Sequence, residues 1–85
     1  MYLHLGQETV VCSQDVIGIF DMDTSTIGKS TRDFLAKSEK NKEVFNVSYE
    51  LPKSFVLCSR NGENTVYISQ ISSTTLLKRT KKLTL

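Results

Sequence analysis

Residues Ser54–Ser69 read SFVLCSRNGENTVYIS. Two runs rich in β-branched and aromatic residues, Ser54–Cys58 and Thr65–Ser69, flank Arg60-Asn61-Gly62-Glu63-Asn64. Asn-Gly accepts the positive φ that a tight hairpin turn demands, so this stretch predicts two antiparallel strands joined at Asn61-Gly62. Upstream, Val44–Tyr49 is a further strand candidate. Leu51-Pro52-Lys53 cuts it off, because Pro cannot donate to a ladder. Downstream, Ser72-Ser73 can cap a short last helix carrying Leu76 and Leu77. The basic segment Lys78-Arg79-Thr80-Lys81-Lys82 then follows as a frayed tail.

Toward the N-terminus the pattern stays β-like. Tyr2-Leu3-His4-Leu5 alternates and stops at Gly6, and Thr9–Cys12 resumes as a β-branched run, which suits a hairpin. Asp15–Phe20 is a third strand. It is apolar on both parities, which places it under cover on both faces or at an interface. Gly18 inside it signals a bulge or a close backbone approach. The character then changes. Ser30-Thr31-Arg32-Asp33 resembles a capping box with Asp in place of Glu. Phe34, Leu35 and Ser38 sit at helical spacing, and Lys37, Lys40 and Lys42 gather where a helix dipole favours bases. A helix over 29–41 follows. The order β-β-β-α-β-β-β-α describes a small single α+β domain: an antiparallel, β-rich sheet with one central helix and a short C-terminal helix. The domain spans 1–80, and 81–85 form a basic C-terminal tail.

Eighty-five residues with 39% apolar content and no Trp build only a small core. Such domains often complete their cores with disulfides, metal or copies of themselves, so self-association is expected. Val16, Ile17, Ile19 and Phe20 of the doubly apolar strand are the candidate interface. No run reaches the roughly 18 apolar residues of a membrane span, and the N-terminus lacks the basic and long apolar regions of a signal peptide. A cytoplasmic protein with no membrane partner is expected. Cys12 and Cys58, 46 positions apart with the lone His4, make no metal-ligand spacing. They are expected to be reduced thiols acting as small hydrophobes. Net charge is +2, unevenly spread. Residues 1–26 carry Glu8, Asp15, Asp21 and Asp23 and no base, whereas 27–85 carry all 11 bases and five acids. Such asymmetry suits an anionic partner or pairing between unlike faces of neighbouring subunits.

One motif points to an enzyme. Ile17–Thr26, IGIFDMDTST, ends an apolar run in Asp-x-Asp-x-Thr, the first motif of haloacid-dehalogenase phosphatases. That chemistry also needs a phosphate-binding Ser/Thr, a distant Lys and further acids for magnesium, set on successive parallel strands. Each crossover unit takes about 30 residues, and the chain has room for one at most. After Asp33 the acids are Glu39, Glu43, Glu50 and Glu63, scattered over a helix and turns. Gly28-Lys29-Ser30 echoes the end of a phosphate loop but lacks the upstream Gly. No enzyme, catalytic residue, metal or cofactor is expected, and Asp21-Met22-Asp23 reads as a strand running into a turn.

Tyr2-Leu3-His4-Leu5-Gly6, Val10-Val11, Asp15–Asp21, Ser54-Phe55-Val56-Leu57, Val66-Tyr67-Ile68-Ser69, Ile71-Ser72-Ser73 and Thr75-Leu76 with Lys78-Arg79 together resemble the RemA/RemB family of small bacterial regulators. The resemblance runs along nearly the whole chain in order. It implies a LytTR-like, ring-forming, DNA-associated transcriptional regulator of extracellular-matrix and biofilm genes. It also allows RemA itself as a partner. RemA has a Tyr-Gly-Arg-Arg segment before its hairpin, with the arginines as candidate DNA contacts; here Tyr49-Glu50-Leu51-Pro52-Lys53 takes its place, the arginine pair is absent, and only Lys53 lies nearby. Lys29 and Arg32 lie roughly where RemA has a Lys-Arg pair. The candidate DNA-binding residues are therefore Lys29, Arg32, Lys53, Arg60, Lys78 and Arg79, aimed at phosphates. For Lys29 and Arg32 the alternative is a solvated helix face, and for the C-terminal bases a solvated tail. An assembly module that binds a protein partner and no DNA is the alternative function.

Overall fold

The computed structural model describes residues 2–22, Asp33, Ala36, Lys37, Lys40 and 43–83. The hairpin at Asn61-Gly62 is its centre. Strands β5 (Ser54–Arg60) and β6 (Glu63–Ser69) pair antiparallel from Ser54↔Ser69 to Arg60↔Glu63. Both run closer to the turn than the apolar pattern suggests, leaving a two-residue loop with φ +53° at Asn61 and +83° at Gly62. Positive φ at both central residues is the twist-matched turn that Asn-Gly favours.

Strand β3 (Val16–Asp21) adds antiparallel to β5. A one-residue bulge between Val16 and Gly18 explains its doubly apolar sequence. Val16 stands opposite Cys58 and Ile19 opposite Val56, so both turn to the same core despite their odd spacing. Ile17 is the extra residue and stays 62% exposed. Gly18 lies under the Phe20 ring, and a Cβ there would sit 2.7 Å from it. Phe20 in turn stacks on Phe55, with centroids 4.9 Å apart.

Strand β4 (Val44–Asn46) pairs with the far side of β6, giving the order β3-β5-β6-β4. This pair is parallel, so the sheet is mixed and not wholly antiparallel. The cause lies in the link 47–53, which leaves β4 beside Ile68 and must pass the end of β6 to reach Ser54. Two bonds hold it there, from Val47 N–H to the Ile68 carbonyl (2.9 Å) and from Lys53 N–H to the Ser69 carbonyl (2.9 Å). Pro52 sits in the link, which carries no ladder that a missing N–H could break.

Strands β1 (Tyr2–Gly6) and β2 (Thr9–Cys12) form a separate hairpin. A single 3-10 turn, Ser13–Asp15, leads from it into β3. Leu3, Leu5 and Val11 from the hairpin meet Val47, Val56, Cys58 and Leu76 in the main core. Ser69, fully buried, ties the layers together. Its Oγ donates to the Leu5 carbonyl (2.6 Å) and accepts from Ile71 N–H (3.0 Å).

Helix α1 (Ser73–Leu83) closes the chain. Ser72 is its N-cap, accepting from Thr75 N–H at 3.3 Å. The helix runs through Leu83 and does not fray after Leu77 as its basic sequence suggests. Leu76 is fully buried and anchors it, and the Arg79 guanidinium donates to the His4 carbonyl at 2.8 Å. Bases near a helix C-terminus also suit its dipole. Of the expected central helix over 29–41, only Asp33, Ala36, Lys37 and Lys40 are described, each helical in its own backbone and exposed. The helix as a unit lies outside the described residues. Among those residues no helix is long and apolar enough to cross a membrane.

Candidate functional site

The candidate residues fall into three places. Lys53 stands exposed at the end of the link 47–53. Its backbone is pinned on both sides, since its carbonyl accepts from Met22 N–H (3.0 Å) and its N–H donates to Ser69. Arg60 is exposed at the opposite end of the seven-residue strand β5, beside the Asn61-Gly62 turn. Lys78 is exposed on α1, while Arg79 is half-buried and occupied by the His4 carbonyl. Lys53 and Arg60 therefore do not share one patch. Lys29 and Arg32 lie outside the described residues.

The interface candidates divide as well. Val16 and Ile19 pack partly against the core. Ile17 at 62% exposure and Phe20 at 39% keep apolar surface in water.

Asp21 ends β3, and its carboxylate accepts from the Ser73 hydroxyl at 3.4 Å. Helix α1 has no acid in its own first turn, so the acid from β3 stands where a helix favours negative charge. Asp23 lies outside the described residues. Among the described residues no group of three or more His, Cys, Asp or Glu side chains could hold a metal ion.

Two features have no counterpart among the sequence-derived candidates. The first is a cleft of about 450 Å³ between the β1–β2 hairpin and the turn end of β5–β6. Its walls include Tyr2, Val10, Val11 and Tyr67, and its rim holds Arg60 and Glu63. Both thiols, Cys12 and Cys58, also line it, as does Asp15. Burial, with Asp15 adding to it, pushes the Cys58 thiol up to about 11. Tyr67 is also raised, first by burial and then by the negative charge of Cys58 and Asp15. Both groups thus stay protonated at neutral pH, and Cys58 behaves as a buried small hydrophobe. The second feature is the tip of the link 47–53. Tyr49 is fully exposed and Leu51 is 80% exposed, on either side of Glu50. An apolar residue on each side of an acid within a Pro-bearing turn was the available sequence signal.

Comparison with known proteins bears on the same residues. The RemA-like family, described as extracellular matrix regulatory protein A-like, matches residues 2–80. Extracellular matrix regulatory protein B of Bacillus subtilis (strain 168) is 40% identical over 79 residues, covering 93% of this chain and 89% of that protein.

Proposed function

The chain belongs to the RemA-like family of extracellular matrix regulatory proteins, and from that premise we propose that it is a DNA-associated transcriptional regulator of extracellular-matrix genes. It works in the cytoplasm as a homo-oligomer. The observation that carries this is the family match along nearly the whole chain. Lys53 and Lys78 support it as exposed bases whose side chains make no hydrogen bond or ion pair among the described residues. Each is a point charge on a flexible stem, suited to phosphates and unable to read base edges bidentately. Binding is therefore weak per subunit and tolerant of sequence, and the oligomer multiplies it. Lys29 and Arg32 complete the set on the part of the chain that is not described. RemA is a partner this function accommodates.

The test is a salt titration of fluorescence anisotropy on two unrelated duplexes. Both should bind with similar affinity at low salt. Replacing Lys29 and Arg32 together should weaken both by similar factors and flatten the salt slope by about 1 to 2 per subunit engaged. Absence of binding to either duplex at low salt would discard the DNA role.

A second reading, an assembly module that docks on protein, is favoured by one specific observation. The segment that stands in place of RemA's arginine pair exposes Tyr49 and Leu51, while the described bases are spread over both ends of the sheet. Exposed apolar tips with scattered charge suit protein partners better than phosphates. In that case the oligomer would form normally and anisotropy would stay flat.

A further inference from the structure

At about 450 Å³, the cleft between the β1–β2 hairpin and the turn end of β5–β6 falls in the size range of small-molecule sites. Its lining grades inward. Arg60 and Glu63 are exposed, Asp15 and Tyr67 are half-buried, and Val11 and Cys58 are buried. Arg60 and Glu63 stand opposite each other in the hairpin register, one of each sign, so the rim carries no net charge. Asp15 is the charge that remains. Among the described residues its carboxylate makes no hydrogen bond or ion pair. Burial is the first cause of the raised Cys58 and Tyr67 groups, and the Asp15 charge adds to both. A half-buried carboxylate without a partner bears part of its desolvation cost unrelieved. A positively charged ligand would relieve it. The rest of the lining selects among cations. Among the described residues no group of three or more His, Cys, Asp or Glu side chains could hold a metal ion, so a bare metal finds too few ligands. Tyr2, Val10 and Tyr67 instead offer aromatic and apolar surface, and Tyr2 at 71% and Val10 at 51% exposure leave it uncovered. An ammonium group gains from tyrosine rings as well as from a carboxylate, and an apolar body gains from leaving water. The Tyr67 ring leans on Phe45, with centroids 5.7 Å apart, so this wall is set before a ligand arrives. An anion would meet Asp15 as a like charge. A neutral molecule would cover the carboxylate and leave it unpaired.

We propose that this cleft binds a small organic cation, one ammonium group on a compact aromatic body. The ammonium pairs with Asp15, and the aromatic body packs against Tyr2, Val10 and Tyr67. The site is complete within one chain and depends neither on the DNA-associated role nor on self-association. A bound cation would add positive charge beside Arg60, one of the candidate phosphate contacts.

The experiment titrates phenethylamine into the full chain, with calorimetry for affinity and amide NMR for location. Binding should saturate with a dissociation constant of about 1 mM or below. Amides of Val11, Cys12, Asp15 and Thr65 should shift, while those of Ser69 and Leu76 stay in place. 2-Phenylethanol and phenylacetate keep the ring and lose the positive charge, and each should bind roughly tenfold more weakly or worse. n-Butylamine keeps the charge, mimics a lysine side chain and lacks the ring; it too should bind roughly tenfold more weakly. Asp15→Asn preserves the side-chain shape and should bring phenethylamine down to the level of 2-phenylethanol. Tyr2→Ala alters an exposed residue and should weaken phenethylamine roughly threefold or more. Circular dichroism checks the folding of both variants. Equal affinity of phenethylamine for wild type and folded Asp15→Asn, or of phenethylamine and 2-phenylethanol for wild type, would overturn the charge pairing. n-Butylamine binding as tightly as phenethylamine would assign the cleft to a lysine of a protein partner and overturn the small-molecule ligand. Absence of saturable shifts at millimolar phenethylamine would overturn the site itself. None of these results bears on the duplex titration, so the site and the DNA role fail separately.

Discussion

At the scale of single residues, a few polar atoms carry more of the architecture than their number suggests. Ser69 bridges the Leu5 carbonyl and Ile71 N–H from a fully buried position. Ser69→Ala strands both groups, and should cost about 1–3 kcal/mol of stability in urea unfolding. A loss below a few tenths would mean that water replaces the hydroxyl. Cys58 gives a pH signature. Its thiol is raised from 9.0 to about 11, with burial the larger cause. Below the lower value the folded and unfolded thiols are both protonated, so stability is complete there. Between the two values the unfolded thiol ionises first, so stability falls as pH rises. The expected loss is roughly 2–3 kcal/mol at most, and Cys58→Ala should flatten that part of the profile. Tyr67, raised in the same direction, extends the decline. The thiols are legible in the sequence as small hydrophobes, but their meeting in one cleft is not, because 46 positions separate them.

Elements succeed here where local chemistry and burial agree. The β5–β6 hairpin follows from Asn61-Gly62 because backbone geometry at two residues sets the register of both strands. Gly62→Val should therefore be strongly destabilising at φ +83°, even though open space surrounds the site. Calorimetry should show a lower melting temperature for this variant than for an exposed Val substitution elsewhere on β6, such as Asn64→Val. Helix α1 shows the opposite case. Its basic sequence gives a poor account of its length, since Leu76 and the Arg79–His4 contact anchor it from outside. Leu76→Ala should cost about 2–5 kcal/mol. Arg79→Gln should loosen the β1–β2 hairpin, visible as faster amide exchange at His4 and its neighbours while β5 stays protected. Equal exchange in both would show that Arg79 is not the link. The direction of β4 was equally illegible. Its three residues carry no sign of which neighbour they join, and the link 47–53 decides that by crossing the end of β6.

For the whole molecule, the separation of features matters most. The described bases lie at both ends of the sheet, the apolar tip lies at one end, and the cleft lies at the other. The proposed self-association would link stability to concentration. The melting temperature should rise by several degrees between low and high micromolar protein, on the basis that 1 kcal/mol shifts a domain of this size by about 4–8 °C. A wild-type melting temperature independent of concentration would place the chain among monomers.

The sequence by itself determined the two hairpins, an irregularity at Gly18, the capped last helix and the family. These rest on turn chemistry, strand period and residue order, which act over a few positions. Tertiary structure alone decided which face each apolar residue of β3 takes, that β4 runs parallel to β6, and that Tyr49 and Leu51 remain in water while Leu76 is buried. It also brought Tyr2, Val10, Cys58 and Arg60 around one cleft. Apolar side chains carry no label for inside or outside. That is fixed only when strands and helix have packed and the remaining surface has been left over.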